Sequence, residues 1–391
     1  MSKIEIALEP RACECCGGND LEPVWLNQSI VRKSTAKYLF RIYVVVCRRC
    51  GFCFTSPGPT REALNHYYAD SLPHYEDISL PYSIECRLSL LERYRAPSGV
   101  FAEIGGDRPE KFHRSLTGLF GTILDVELNE DTPSDYRCVD ELPSGSVDVL
   151  AHYDVLEHVP NVRYFLSACH RALREGGVMV CEVPDLRLYP RDLILLEFEH
   201  VNHFTVVTLA AIAQSCGFKL EEISHVCSRP FGFGSVFRKD GCPEDRLLDL
   251  PFEYLDALAC VRGGIEQIQR VLGHIKSLQK RIMELGNHGR KITLWAVTDL
   301  LRRLLENFQL PSSALVLDSD PRRSTHLESQ GISVFQPKDC LAHIRESDLL
   351  VIFAPRYKGE IMDWVLREAG KQFSTAELEV VGSGPSGESL M

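Results

Sequence analysis

The chain has no surplus of basic residues and no apolar run long enough to span a membrane. Its 43 Lys and Arg residues are outnumbered by 54 Asp and Glu residues, which leaves a net charge of −11 over 391 residues. Because binding to nucleic acid requires Lys and Arg to neutralise phosphates, this charge disfavours a general nucleic-acid-binding function. The segment Met1 to Pro10 also lacks the apolar core of a signal peptide, so we expect a cytoplasmic protein with no membrane-spanning segment.

The rest of the composition is ordinary for a globular protein, with 45% apolar and 25% charged residues. The length allows two or three domains, each able to bury its own core. The composition changes along the chain, and we predict four segments from those changes. They are a cysteine-rich module at 1–75, a core domain at 76–240, a linking helix with a further domain at 241–381, and a Gly/Ser-rich disordered tail at 382–391.

Two stretches alternate short apolar runs with amphipathic segments, which predicts an α/β fold of parallel strands and crossover helices. The first stretch has predicted strands at 100–104, 122–126, 147–151 and 177–183. A long amphipathic helix is predicted at 251–285. The second stretch has predicted strands at 291–297, 314–317 and 348–353 and predicted helices at 300–308 and 358–369. The pattern therefore predicts two separate α/β regions.

Four of the 15 cysteines form two Cys-x-x-Cys pairs, each followed by glycine. The pairs are Cys13 with Cys16 and Cys47 with Cys50. Four thiolates at this spacing can hold one tetrahedral zinc ion, and they leave no open position, so we predict a structural zinc site. The long separation of the pairs indicates a zinc ribbon-like module with an inserted hairpin. Cys15 and Cys53 lie close enough in the sequence to compete as ligands.

The segment Glu103-Ile104-Gly105-Gly106 follows an apolar strand and resembles the first motif of the class I S-adenosylmethionine (SAM)-dependent methyltransferases. In that family the glycines let the backbone approach the cofactor, and an acid after the next strand accepts the ribose hydroxyls. Further segments, 152–159 among them, resemble the family in the same order along the chain. The resemblance implies SAM as cofactor and a Rossmann-like core, with cofactor-binding residues Glu103, Gly105, Gly106, Glu127, Asp140 and Tyr153.

The loop after this motif departs from the family, which usually has glycines at the places of Asp107 and Pro109. Asp107 could cap the following helix, with Pro109 in its first turn. Alternatively, Asp107 could pair with the ammonium group of the cofactor. The sequence leaves both interpretations open.

Over nearly its whole length the chain resembles the NDP-sugar C-methyltransferases, which combine a zinc module, a methyltransferase core and a second Rossmann-like domain. The segment Glu199-His200-Val201-Asn202-His203 is similar to the Glu-His motif of that family. The resemblance implies a nucleotide-linked keto-sugar as substrate, with His200 as the base and Glu199 orienting it. His203 stays an open candidate for the same site. The family commonly has tyrosine where this chain has Glu197, which leaves O- or N-methylation open.

The second α/β region has no glycine in the turn after its first strand, Trp295-Ala296-Val297-Thr298-Asp299. Without glycine a close approach of the backbone to a phosphate is disfavoured, so we expect this domain to shape the substrate cleft without binding a nucleotide of its own. Two functions remain compatible with the sequence. One is a small-molecule methyltransferase, and the other is a non-catalytic relative whose cofactor loops have changed.

Overall fold

The computed structural model describes residues 2–32, 36–69, 81–106, 110–130, 132–191, 199–226, 231–241, 251–305, 308–320, 327 and 331–382. The loop Asp107 to Pro109, Glu197 and the tail 383–391 lie outside the described residues. The chain divides into two compact units, Met1–Ile265 and Glu266–Met391. Within the described residues, no helix combines the length and the apolar character that crossing a bilayer requires.

The part of the first unit that the structure describes contains thirteen strands and five α-helices, and a sixth α-helix continues from it into the second unit. Its strands are β1 Ser2–Glu5, β2 Leu8–Glu9, β3 Leu21–Arg32, β4 Ala36–Cys47, β5 Cys53–Thr55, β6 Gly58–Pro59, β7 Ala96–Ile104, β8 Phe120–Val126, β9 Val147–Tyr153, β10 Leu173–Pro184, β11 Asn202–His203, β12 Phe218–Ser224 and β13 Gly232–Lys239. Its helices are α1 Arg61–Ala69, α2 Pro81–Leu91, α3 Glu110–Ser115, α4 Val162–Ala172, α5 Val206–Ser215 and the shared α6 Pro251–Asn287.

The N-terminal module is a sheet built on the long antiparallel hairpin of β3 and β4, which is the inserted hairpin that the cysteine spacing predicted. The strand β4 is rich in Val, Ile, Phe and Tyr, and it is largely buried. It pairs with β1 and β5 as well as β3. The edge strand of this sheet, β11, comes from much later in the chain and pairs antiparallel with β5.

The core of the first unit is a six-stranded sheet in the order β12-β13-β10-β9-β7-β8. The strands β7 to β10 are parallel to one another, whereas β13 runs antiparallel to β10 and β12. The four strands predicted from the sequence coincide with β7 to β10, each of which is longer than predicted. Apolar side chains of α2 and α3 pack on one face of the sheet, and those of α4 and α5 pack on the other.

Side-chain caps fix the beginnings of the two helices α4 and α5. Asn161 accepts a hydrogen bond from the Tyr164 amide at the start of α4. Thr205 and Thr208 form a reciprocal capping box at the start of α5. Because Thr205 lies two residues after the end of β11, this cap also fixes where β11 leaves the module sheet.

The second unit is a parallel sheet with the order β16-β15-β14-β17-β18. Its strands are β14 Ile292–Trp295, β15 Ala314–Leu317, β16 Val334–Phe335, β17 Leu349–Ile352 and β18 Leu378–Val380, and its helices are α7 Asp299–Leu305, α8 Leu341–Glu346 and α9 Lys358–Trp364. The predicted long helix and the predicted strands of this region are confirmed. The structure therefore has two Rossmann-like α/β sheets and a cysteine-rich N-terminal module.

The turn after β14 is built without glycine. Ala296 adopts a left-handed backbone with φ 78°, a conformation that usually favours glycine. The amide of Val297 donates a hydrogen bond of 2.7 Å to Oδ2 of the buried Asp318. A carboxylate thus already accepts the backbone amide at the place where a Rossmann-like fold offers donors to a phosphate.

Candidate functional site

Two loops of the N-terminal module bring four cysteine sulfurs together. The Sγ atoms of Cys13 and Cys50 are 3.4 Å apart, and those of Cys16 and Cys47 are 3.5 Å apart. All four thiols are buried and lie within 4.8 Å of one another. Zinc–sulfur bonds of about 2.3 Å in a tetrahedron place the sulfurs about 3.8 Å apart. The four side chains therefore fit a structural zinc ion.

Glycines close both cysteine loops. Gly17 and Gly51 have φ of 70° and 76°, and their amides donate to the carbonyls of Cys13 and Cys47. A Cβ atom at Gly51 would also lie 2.4 Å from the backbone of Glu253. The tight turn and this close approach both require glycine at position 51.

Arg11 connects the zinc module to the segment that follows His200. Its guanidinium donates to the carbonyls of Thr55 and Val201 at 3.2 Å and to Oδ1 of Asn202 at 2.8 Å. The side-chain amide of Asn202, through Nδ2, in turn donates to the backbone carbonyls of Leu156 and Val159. These bonds join the module to two segments of the methyltransferase-like core at once.

Glu14, which lies inside the first cysteine loop, makes a second connection. Its Oε2 accepts the backbone amide of Arg163 at 2.7 Å, and its Oε1 pairs with Arg11 at 3.1 Å. The Arg163 guanidinium donates back to the carbonyls of Glu14 and Cys15. The first cysteine loop is therefore bound to the first turn of α4.

The predicted cofactor residues lie at the carboxyl ends of parallel strands. Gly105 follows β7 with φ 73°, and a Cβ atom there would lie 2.7 Å from Val155. Glu127 follows β8 directly, is half-buried, and accepts the Asn129 amide at 3.0 Å. Carboxyl ends of parallel strands are where α/β sheets bind their ligands. A left-handed glycine and an acid at this edge fit a nucleoside cofactor.

Glu103 and Tyr153 lie deeper, beneath α2 and α3. The carboxylate of Glu103 contacts Nη1 of Arg87 at 3.6 Å and Nε2 of His113 at 2.8 Å. The same guanidinium lies 3.9 Å from the centre of the Tyr153 ring. Glu103 and Tyr153 are therefore linked to each other through Arg87 and hold α2 and α3 on the sheet.

Asp125 is a second buried carboxyl beside Glu103, its partner on the adjacent strand. Burial, and then the nearby negative charge of Glu103, raise the pKa of Asp125 to about 7. This carboxyl therefore carries a proton over much of the weakly acidic range.

Asp140 lies on the short 3₁₀ helix Val139–Glu141, and its Oδ2 accepts from Arg61 of α1 at 3.0 Å. The Arg61 guanidinium also lies 4.4 Å from the centre of the Tyr164 ring. In this arrangement Asp140 connects the module helix α1 to the core.

The two predicted catalytic residues have different surroundings. The His200 side chain is 12% exposed, and its Nε2 lies 4.0 Å from Oε1 of Glu157. Glu199 instead accepts a hydrogen bond from the Tyr67 hydroxyl. The Glu157 carboxylate therefore lies beside the His200 ring, a neighbour that the sequence did not predict.

Sequence reasoning assigned no role to Glu157 and His158, although both lie in a segment that resembles the methyltransferases. The His158 ring packs edge-on against the His200 ring with 4.8 Å between the centres, and its Nδ1 bonds the Tyr68 hydroxyl at 3.0 Å. The chain has two Glu-His dipeptides, 157–158 and 199–200, and the adjacent Tyr67 and Tyr68 contact one residue of each. The repetition of the Glu-His dipeptide is the sequence feature from which a role for Glu157 and His158 could have been predicted.

His203, the other histidine of this segment, is buried in β11. Its Nδ1 bonds the Tyr189 hydroxyl at 2.6 Å. Burial, with a smaller contribution from the charge of Arg11, lowers the pKa of His203 to about 3. His203 is thus a neutral, enclosed ring.

Residues 88–223 match the family model described as "Methyltransferase domain". This segment is therefore similar to methyltransferase domains. It contains β7 to β11 and all but the last residue of β12, together with the glycines after β7, Glu127 and both Glu-His dipeptides.

A protein of Mycolicibacterium smegmatis named "Probable S-adenosylmethionine-dependent methyltransferase" is 34% identical over 83 residues, which are 21% of this chain. The match spans 32% of the length of that relative. A SAM-dependent methyltransferase structure from Mesorhizobium loti is 16% identical and covers 39% of this chain and 97% of its own, with a TM-score of 0.32. One from Archaeoglobus fulgidus is 17% identical and covers 42% and 95%, with a TM-score of 0.33.

We expect the purified protein to contain zinc bound by the four clustered thiols, and Cys50→Ser to lose it. Removing one thiolate leaves an incomplete tetrahedron, which weakens binding and destabilises the module. Metal analysis and thermal unfolding of both proteins measure this. Cys138→Ser, which changes a cysteine far from the cluster in the sequence, is the control and should keep its zinc. A metal-free wild-type protein of unchanged stability would contradict the assignment.

Proposed function

We propose that the chain is a SAM-dependent methyltransferase of a small-molecule acceptor, with His200 as the general base of a carbon methylation. The observation that carries this proposal is the meeting of two Glu-His dipeptides just after β9, in a domain that matches the methyltransferase family. General acid–base catalysis uses histidine more often than any other side chain.

The proposed cofactor contacts are Gly105, Gly106 and Glu127. Gly105 lets the backbone pass close to Val155, and Glu127 presents a carboxylate at the strand end, where it can accept the ribose hydroxyls. Glu103 and Tyr153 support this edge through Arg87, and Asp140 supports it through Arg61. Bound SAM supplies an electrophilic methyl group.

A carbon acceptor must first lose a proton to become a nucleophile, and His200 takes up that proton on its ring. The Glu157 carboxylate, 4.0 Å from Nε2, stabilises the resulting imidazolium. Tyr67 holds the carboxylate of Glu199, and Tyr68 holds the ring of His158. The two tyrosines thereby position the segments that carry the base.

The proposed acceptor is a keto-sugar linked to a nucleotide. Its support is the resemblance to the NDP-sugar C-methyltransferases in the Glu199–His200 segment and in the cysteine module. A carbonyl beside the reacting carbon makes its proton acidic enough for a histidine base.

A second candidate function is O- or N-methylation of another small metabolite, or binding of a ligand without catalysis. Three sequence departures favour it. This chain has Glu197 where the NDP-sugar C-methyltransferases commonly have tyrosine, and it has Asp107 and Pro109 where the methyltransferases usually have glycine. Oxygen and nitrogen acceptors already carry a lone pair and need no proton removed from carbon.

Glu127→Ala should weaken SAM binding by about 1.5–3 kcal/mol, or roughly 10- to 100-fold, because hydrogen bonds to a charged group are lost. Isothermal calorimetry measures the affinity. Glu130→Ala, which removes an exposed carboxylate three residues away, should bind SAM as the wild type does. Equal affinity in all three proteins would mean that another acid binds the ribose, and no binding by the wild type would favour the non-catalytic alternative.

His200→Asn should still bind SAM but lose turnover by about 10²–10⁴-fold, the range for removal of a general base. The wild type should also exchange the acidic carbon proton of a keto-sugar nucleotide with deuterated water, and the variant should not. NMR of the substrate follows the exchange, and His225→Asn, at an exposed histidine, is the control. Methyl transfer without any exchange in the wild type would rule out carbon methylation.

A further inference from the structure

Glu157, His158 and His200 present three potential metal ligands at one point. Oε1 of Glu157 lies 3.9 Å from Nε2 of His158 and 4.0 Å from Nε2 of His200, and one ligand atom from each residue lies within 4.8 Å of the others. Two imidazoles and one carboxylate are a ligand set of first-row transition metals. We propose that these three side chains form a second metal site, which binds a divalent transition-metal cation such as Zn²⁺.

The distances fit an ion after a small contraction. Metal–ligand bonds of about 2.1 Å place the ligands of a tetrahedral site about 3.4 Å apart. Oε1 of Glu157 must therefore approach each ring by about half an ångström, which small side-chain rotations provide.

Charge and burial also favour a cation at this point. The Glu157 side chain is 1% exposed, while His158 and His200 are 22% and 12% exposed. A carboxylate in such surroundings is stabilised by a full positive charge. The partly exposed imidazoles leave a route by which an ion can enter from solvent.

Tyr68 orients one of the proposed ligands. Its hydroxyl lies 3.0 Å from Nδ1 of His158, whereas the atom of the same ring that lies closest to Glu157 is Nε2. If Nδ1 carries the proton and donates it to this hydroxyl, the lone pair of the ring lies on Nε2. Histidines that bind metals commonly donate their other ring N–H to a neighbouring acceptor in this way. Tyr68 is a positioning residue in this proposal.

The second site differs in chemistry from the cysteine site. Four thiolates fill a zinc tetrahedron, whereas one carboxylate and two imidazoles leave at least one position for water or an acceptor oxygen. An ion bound to Nε2 of His200 occupies a lone pair that the ring needs in order to take up a proton there. Metal binding at this atom and uptake of a proton at the same atom therefore exclude each other, a consequence that rests on the proposed role of His200 as the base.

Metal content tests this inference without any measurement of turnover, so its outcome is independent of the proposed function. Protein that retains its cysteine-bound zinc is titrated with Co²⁺, and bound cobalt is measured by equilibrium dialysis and by visible absorption. We expect one further equivalent whose spectrum has cobalt d–d bands but no thiolate-to-cobalt charge-transfer band. His158→Ala and Glu157→Gln should each lose this equivalent and keep the zinc, whereas His225→Ala should keep both ions.

Retention of the cysteine-bound zinc reports that each variant is folded. If His158→Ala does not fold, the cobalt content of Glu157→Gln decides whether the second metal site exists. The inference is overturned if the wild type binds no second equivalent. It is also overturned if the folded Glu157→Gln variant binds cobalt as tightly as the wild type, or if the second spectrum shows thiolate ligation.

Discussion

The segment after His200 is a strand in the sheet of the zinc module, and the arrangement of the candidate catalytic site depends on this pairing. Asn202 and His203 pair with Phe54 and Cys53, and the Thr55 amide donates to the Val201 carbonyl. Arg11 adds side-chain bonds to the same segment. A short two-residue strand has little stability of its own, so its position depends on its neighbours, which are the module strand β5 and the core segment at 156–159. We therefore propose that zinc bound by the four thiols would also help to fix the geometry around His200.

Local patterns were sufficient to predict the central strands of both α/β sheets and the long helix α6. Short apolar runs predicted β7 to β10 and, in the second unit, β14, β15 and β17, because strands of a parallel sheet are buried on both faces. The cysteine pairs predicted a four-thiol cluster and an inserted hairpin, and the structure brings Cys13, Cys16, Cys47 and Cys50 together around that hairpin. The choice of Gly105 and Glu127 came from the resemblance to the methyltransferase motifs, and both residues lie at the carboxyl ends of strands, where α/β sheets bind ligands.

Contacts between distant segments could not be predicted from the same patterns. Tyr67 and Tyr68 meet Glu199 and His158 across 132 and 90 residues, and nothing in the local sequence specifies such a meeting. For the same reason Glu157 received no role, although its carboxylate faces His200. Tertiary contacts between loops follow from the folded topology and from the burial of each group. Sequence periodicity carries no information about them.

Hydrogen exchange of the segment around β11 tests most directly whether the zinc module fixes the candidate catalytic loop. Mass spectrometry should compare the native protein with protein from which the cysteine-bound zinc has been removed, and follow the amides of Thr55 and of residues 200–205. We expect these amides to exchange markedly faster without zinc, while amides of the central strand β9 stay protected, because loss of the module opens the β5–β11 pairing first. Unchanged exchange at 200–205 in zinc-free protein would contradict this account.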